Sequence, residues 1–127
     1  MLNILFVFLG SGLGAVARFG VGRLCYVESE ETALFPWATF IVNAVGCLII
    51  GALMAWFDAH KHESAQNFLV VGILGGFTTF SAFGFETIRL IHNDHWNLAL
   101  LNIAGNVLVG LAAVWVGRTA VNAAMGS

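Results

Sequence analysis

The sequence predicts an all-α membrane protein: four transmembrane helices, the third broken, paired as an antiparallel dual-topology homodimer. Three observations carry that prediction. Charged residues make up only 9% of the 127 residues and hydrophobic ones 59%, whereas a soluble domain carries about 25% charged residues. Four apolar runs, 2–24, 35–57, 68–91 and 98–121, each reach the roughly 20 residues that a helix needs to cross a bilayer core of about 30 Å. The five basic residues divide three to two between the membrane faces, Arg18, Arg23 and Arg89 against Lys61 and Arg118. The usual cytoplasmic excess of Lys and Arg is therefore missing, which reads either as weakly biased insertion in one direction or, the sharper expectation, as copies inserted in both directions and paired. A single integral-membrane domain over 1–127 accounts for the chain, as a multi-pass protein in the lipid bilayer.

The first run begins without Lys or Arg between Met1 and Leu9, so it lacks the positive region of a cleaved signal and reads as a retained span. Gly10 and Gly14 are spaced G-x-x-x-G, as are Gly72 and Gly76 in the third run. Small residues at that spacing let membrane helices approach closely. Gly46–Gly51 and Gly105–Gly110 add further small positions. Gly10 to Ala15 also satisfies the loose pattern G-x-G-x-x-A, but no strand or βαβ unit surrounds it, which excludes a dinucleotide site. Cys25 and Cys47 are widely separated and suggest neither a disulfide nor a metal cluster.

In the second run, Asn43 is an amide about a third of the way into hydrocarbon, where it costs energy unless bonded. It reads either as an interhelical hydrogen bond or as a donor offered to an anion. The third run contains Gly72-Ile73-Leu74-Gly75-Gly76-Phe77-Thr78-Thr79-Phe80-Ser81-Ala82-Phe83. Irregular backbone at this depth survives only where protein buries it or where it lines a polar pathway. A break near 75–79 would leave free N–H groups on one half-helix, suited to an anion, and free carbonyls on the other, suited to a cation. Thr39, Thr79 and Ser81 add neutral donors. Phe77, Phe80 and Phe83 share a face, and the electropositive edge of a phenyl ring can meet a small anion. Glu86 is the only acid well inside a span, positioned to cap backbone groups or pair with a cation.

In the fourth run Asn102 and Asn106, at i and i+4, share one helix face. Trp37, Trp56, Trp96 and Trp115 fall near the expected span ends, where indoles favour the headgroup level. The connections hold most of the charge: Glu28-Ser29-Glu30-Glu31, Asp58 to Glu63, and His92-Asn93-Asp94-His95. Arg18, near the end of the first span, is expected either to snorkel outward or to draw anions into a wide vestibule.

In this order and spacing, three motifs make the chain resemble the Fluc (CrcB) family of small bacterial fluoride channels over nearly its whole length. Gly75-Gly76-Phe77-Thr78-Thr79-Phe80-Ser81-Ala82-Phe83 is similar to the family's G-G-x-T-T-F-S-T-F. Thr39 to Gly46 is similar to its G-T-L-x-x-N-x-x-G from the threonine onward, and Gly10 to Arg18 to its glycine-rich first helix. The resemblance implies two fluoride pathways in an antiparallel homodimer of the cell (inner) membrane, and no enzymatic activity. It assigns Phe80, Phe83 and Asn43 to the pathway, with Thr79, Ser81 and Thr39 in the same polar surroundings and Arg18 in the vestibule. It also implies a structural Na⁺ at the dimer interface, held by the backbone carbonyls of Gly75 and Thr78. Neither an organic cofactor nor a nucleic-acid partner is expected. Two departures stand out: Ala82 replaces a threonine and Ala38 replaces a glycine, with altered rate or affinity as the expected consequence. The alternative is a small proton-coupled multidrug exporter, which needs an ionisable acid deep in the membrane. The first span has none, and Glu86 would have to substitute.

Overall fold

The computed structural model describes residues 1–26 and 34–126 and is all-helical over them. The acidic run Glu28–Glu31 lies outside the described residues. Among the described residues, four helices are long and apolar enough to cross a membrane: α1 (Leu2–Leu24), α2 (Trp37–Ala59), α3 (Glu63–His92) and α4 (Trp96–Met125). The chain is therefore a multi-pass membrane protein. The helices α3 and α4 outrun their apolar stretches by several residues, because backbone hydrogen bonding does not stop where hydrocarbon does. Trp37 and Trp96 open α2 and α4. Trp115, expected near a span end, instead sits almost three turns before the end of α4.

Two helix pairs build the fold. In the first, α1 packs against the front half of α3, and their two G-x-x-x-G motifs face each other. A Cβ on Gly10 would meet Phe68 O and Gly72 Cα, one on Gly14 would meet Ile73 O and Phe77 N, and one on Gly76 would meet Ser11 O. Close approach of backbone to backbone replaces side-chain interdigitation here, because lipid supplies no hydrophobic drive to associate. In the second pair, α2 packs along α4. Gly51 lies against Val114 O, Gly117 against Leu48 O, and Gly110 against Cys47 Sγ. Contacts advance together along both members of each pair, so each pair runs parallel.

At the far end of α2, Arg118 Nη2 meets Asp58 Oδ2 at 2.9 Å, with both side chains about half exposed. Exposed pairs contribute little, so Arg118→Ala is expected to cost under about 1 kcal/mol, read as a small shift in thermal unfolding in detergent. Where α3 turns into α4, Asp94 adopts φ 60°, a left-handed conformation that a short polar side chain tolerates.

Both later helices depart from α-geometry. Asn67–Leu74 in α3 and Gly105–Val109 in α4 form wider π-helical turns. After an α-helical Gly75–Phe77, the backbone is extended at Thr78 (φ −82°, ψ 160°) and Thr79 (φ −151°, ψ 121°). Phe80–His92 then resumes as α-helix, N-capped by Thr79 Oγ1, which accepts from Ala82 N at 3.2 Å. Asn43 holds this extended peptide in place.

Candidate functional site: an uncharged cavity at the extended Thr78–Thr79 segment

A second-helix amide takes the place of the hydrogen bonds that α3 loses here. Asn43 Oδ1 accepts from Thr79 N at 2.9 Å, and Asn43 Nδ2 donates to Thr79 O at 3.1 Å. One side chain thus satisfies both polar groups of a residue that has left the helix, which buried backbone requires. The second Nδ2 proton goes to Asn106 Oδ1 at 3.0 Å. Both N–H groups of Asn43 are therefore engaged, and an anion gains a donor from it only by exchange with one of these partners. Because Thr79 N donates to Asn43, it leaves the Gly75 carbonyl four residues back without its helical partner. Thr78 turns its own hydroxyl to Leu74 O at 3.0 Å.

A cavity of about 380 Å³ opens beside this knot. Asn43, Thr78, Thr79, Asn106, Gly75 and the rings of Phe80 and Phe83 line it, with Gly46, Cys47, Ile50, Val70, Leu74 and Val107 completing the wall. None of the lining residues carries a charge. The two phenyl rings lie 5.5 Å apart between centroids, tilted by 46°. Phe80 is 83% exposed on the single chain, so a large apolar ring stands at the cavity rim with little of this chain over it. A second cavity of about 220 Å³ is lined by Arg18, Gly22, Ala38, Thr39, Val42, Thr79 and Ala82. Thr79 borders both.

Arg18 reaches inward rather than snorkelling to the interface: its Nη1 donates to Thr78 O at 3.4 Å. Thr39 is buried and donates its hydroxyl to Glu86 Oε1 at 2.9 Å. The other carboxylate oxygen, Oε2, is buried and has no partner among the described residues. Glu86 lines neither cavity and caps a hydroxyl rather than a backbone group or a cation. Ser81 is exposed and shares a 3.3 Å hydrogen bond with Thr79 Oγ1, but it lines neither cavity. Of the residues singled out from sequence, Asn43, Thr79, Phe80 and Phe83 come together at the larger cavity, with Gly75 and Thr78 in its wall. Thr39 and Arg18 meet at the smaller one.

Sequence reasoning missed Cys47 and Val107 as lining residues, and it missed the pairing of Thr39 with Glu86. Asn106 was visible as an intramembrane amide at i+4 from Asn102. Its contact with Asn43, 63 positions away, had no local signal.

The donor set, neutral amides and hydroxyls beside two phenyl rings and no fixed charge, suits a small anion that must bind and leave. The family model described as "CrcB-like protein, Camphor Resistance (CrcB)" matches residues 5–118. The chain is 45% identical over 113 residues to a protein of Novosphingobium aromaticivorans named fluoride-specific ion channel FluC, covering 88% of this chain and 90% of that one. Proteins of the same name from Coxiella burnetii (40% over 119 residues, 91% and 94% covered) and Chloroflexus aurantiacus (42% over 119 residues, 92% and 93% covered) are similarly close. With the family's model spanning four helices and the cavity between them, the chain belongs to the CrcB family.

Proposed function

We propose that the chain is a fluoride-selective channel that lets fluoride leave the cell passively and so protects it from fluoride toxicity. Neutral HF enters from acidic surroundings and dissociates at the higher internal pH, leaving F⁻ trapped unless a channel releases it. The observation that carries this reading is the uncharged cavity at Thr78–Thr79. Fluoride is small, strongly hydrated and a strong acceptor, so its water must be replaced by donors that do not hold it permanently. The N-terminal N–H groups of the Phe80–His92 segment have no partners within that helix, and its dipole favours an anion there. Phe80 and Phe83 add aromatic rings whose edges attract anions, and Thr79 adds a hydroxyl bordering both cavities. Ser81 acts through its hydrogen bond to that hydroxyl, and Thr39 gives its proton to an anion only by exchange with Glu86. Arg18, at the smaller cavity, supplies a positive charge outside the narrow part.

The extended Thr78–Thr79 peptide is, in this reading, a functional break in the third span. The working unit is an antiparallel homodimer with both insertion directions in the cell (inner) membrane. Two features support it: the near-even split of basic residues and the exposure of Phe80 at the cavity rim, which a second copy would cover. A structural Na⁺ fits the chemistry of the carbonyls of Gly75 and Thr78. Hard cations take oxygen ligands, and the Gly75 carbonyl has lost its helical donor. Arg18 competes for one lone pair of Thr78 O.

The test is flux from reconstituted liposomes, followed with a fluoride and a chloride electrode. Fast fluoride efflux with chloride at background is expected, and equal or absent efflux of both ions would overturn the reading. Protein purified and reconstituted without Na⁺ is expected to lose most of its flux and recover it when Na⁺ returns. Unchanged flux under strict Na⁺ depletion removes the ion from the proposal. The same vesicles address proton-driven drug export, which demands an acid facing the pathway. Glu86 lines neither cavity, and no drug accumulation driven by a proton gradient is expected.

A further inference from the structure

Behind the cavity wall, five groups form one continuous hydrogen-bonded chain. Asn43 Nδ2 donates to Asn106 Oδ1 at 3.0 Å, and Asn106 Nδ2 donates to Asn102 O and Asn102 Oδ1, both at 2.9 Å. Asn102 Nδ2 then donates to Thr87 Oγ1 at 2.9 Å, and Thr87 Oγ1 donates to Phe83 O at 2.7 Å. Every donor points the same way, and both ends enforce that direction. Carbonyl oxygens only accept, so Phe83 O obliges Thr87 to donate its proton. Thr87 Oγ1 must then accept, which requires the NH₂ side of Asn102. The Asn102 carbonyl likewise obliges Asn106 to donate, and the Thr79 peptide fixes Asn43 through one N–H and one C=O. No amide in the chain can flip without setting donor against donor or acceptor against acceptor.

Asn102 is 0% and Thr87 7% exposed, and neither lines either of the two cavities at Thr78–Thr79. They touch the cavity only through Asn106 and Asn43. We infer that Thr87 and Asn102 are positioning residues that lock the amides of Asn106 and Asn43, and through them the Thr79 peptide, in the one orientation that shapes the uncharged cavity. The relay closes a loop across three helices: it starts at Thr79, where the second part of α3 begins, and returns to the Phe83 carbonyl one turn later. It therefore holds the backbone that carries both phenyl rings. Cutting it at Thr87 frees the carboxamide of Asn102 and leaves Asn106 held on that side by the Asn102 carbonyl alone, without removing any group that faces the cavity.

This role rests on the fluoride-channel reading for its functional consequence, and the experiment separates the two. Thr87→Val keeps the shape and removes the hydroxyl, Thr87→Ser keeps the hydroxyl, and Asn102→Leu cuts the relay from α4. By analogy with residues that orient ion ligands from behind, Thr87→Val and Asn102→Leu are expected to slow fluoride efflux per folded channel by about 10-fold or more, with Thr87→Ser within about 2-fold of the unsubstituted protein. Because Asn102 acts through Asn106, adding Asn102→Leu to Asn106→Ala is expected to cause no further loss, a non-additivity that a merely stabilising role does not give. Independently of flux, side-chain amide signals of Asn43 and Asn106 in ¹⁵N-labelled protein are expected to exchange faster with solvent in Thr87→Val and to return to slow exchange in Thr87→Ser. Folded Thr87→Val and Asn102→Leu proteins with unchanged flux and amide exchange would overturn the relay, as would losses that multiply in the double variant. If Thr87→Val does not fold, Asn102→Leu and the double variant decide. Absent fluoride efflux in the unsubstituted protein sinks the channel reading alone, and the exchange measurement still decides the relay.

Discussion

Asn43→Leu is expected to stop fluoride efflux while leaving a folded, extractable protein. Leucine keeps the branching at Cγ, is bulkier, and removes three hydrogen bonds, two of which hold the Thr79 peptide. Orphaned polar groups in a protein interior cost about 1–3 kcal/mol each, whereas interhelical hydrogen bonds in membranes average only about 0.6 kcal/mol because the unfolded chain also finds partners. The upper figure governs here, since the partners left behind are backbone groups that no longer have a helix to return to. A barrier raised by about 3 kcal/mol slows passage roughly a hundredfold. Phe80→Ile acts on the same cavity by a different route, deleting the ring edge at the rim, and is expected to stop efflux as well. Efflux is read by fluoride electrode from proteoliposomes loaded with equal amounts of protein. Full flux in both variants would remove these residues from the pathway.

The second large effect concerns assembly of the fold rather than passage of an ion. Gly14→Leu is expected to yield little monodisperse protein after extraction, and Gly14→Ala to be clearly destabilised. A Cβ at Gly14 meets the carbonyl oxygen of Ile73 and the amide nitrogen of Phe77, backbone atoms that cannot rotate away as a side-chain tip would. Overpacking costs about 1–3 kcal/mol even where side chains adjust, and here the whole α1–α3 pair has to separate. Gly12, two residues earlier, provides the control, because a Cβ there finds nothing within 4 Å. Gly12→Ala is expected to be neutral or slightly stabilising, since alanine improves on glycine in a helix by about 1 kcal/mol. Equal yields and thermal unfolding for Gly14→Ala and Gly12→Ala would show that the close approach carries no weight.

Both predictions draw on features that differ in how far sequence alone reveals them. The glycine pairs of α1 and α3 were legible because their spacing is local and their purpose generic: four residues apart is one helix face, and small residues on one face ask for a neighbour. Even so, sequence left open that Gly10 and Gly14 meet Gly72 and Gly76 rather than other helices, and it gave no notice of Gly117 against Leu48. The polar residues were legible one at a time. Arg18 could have turned to the headgroups or inward, and only its distance to Thr78 O decides between them. Asn43 carried two meanings, and its three hydrogen bonds to Thr79 and Asn106 show it fully engaged within the protein.

What the sequence determined by itself is the solvent: a charge fraction of 9% and four long apolar runs commit the chain to a bilayer. In hydrocarbon, every backbone group must find a partner inside the protein, and that requirement makes helices of the runs. It also makes the Gly75–Phe83 segment conspicuous from the sequence alone. Tertiary structure alone decided which groups serve as those partners. Thr79 depends on an amide 36 positions earlier, Glu86 on a hydroxyl 47 positions earlier, and Asn106 on that same amide, 63 positions earlier. Helix periodicity fixes neighbours only within a turn or two, whereas a hydrogen bond between helices depends on their rotation and depth, which are set by packing across the whole bundle.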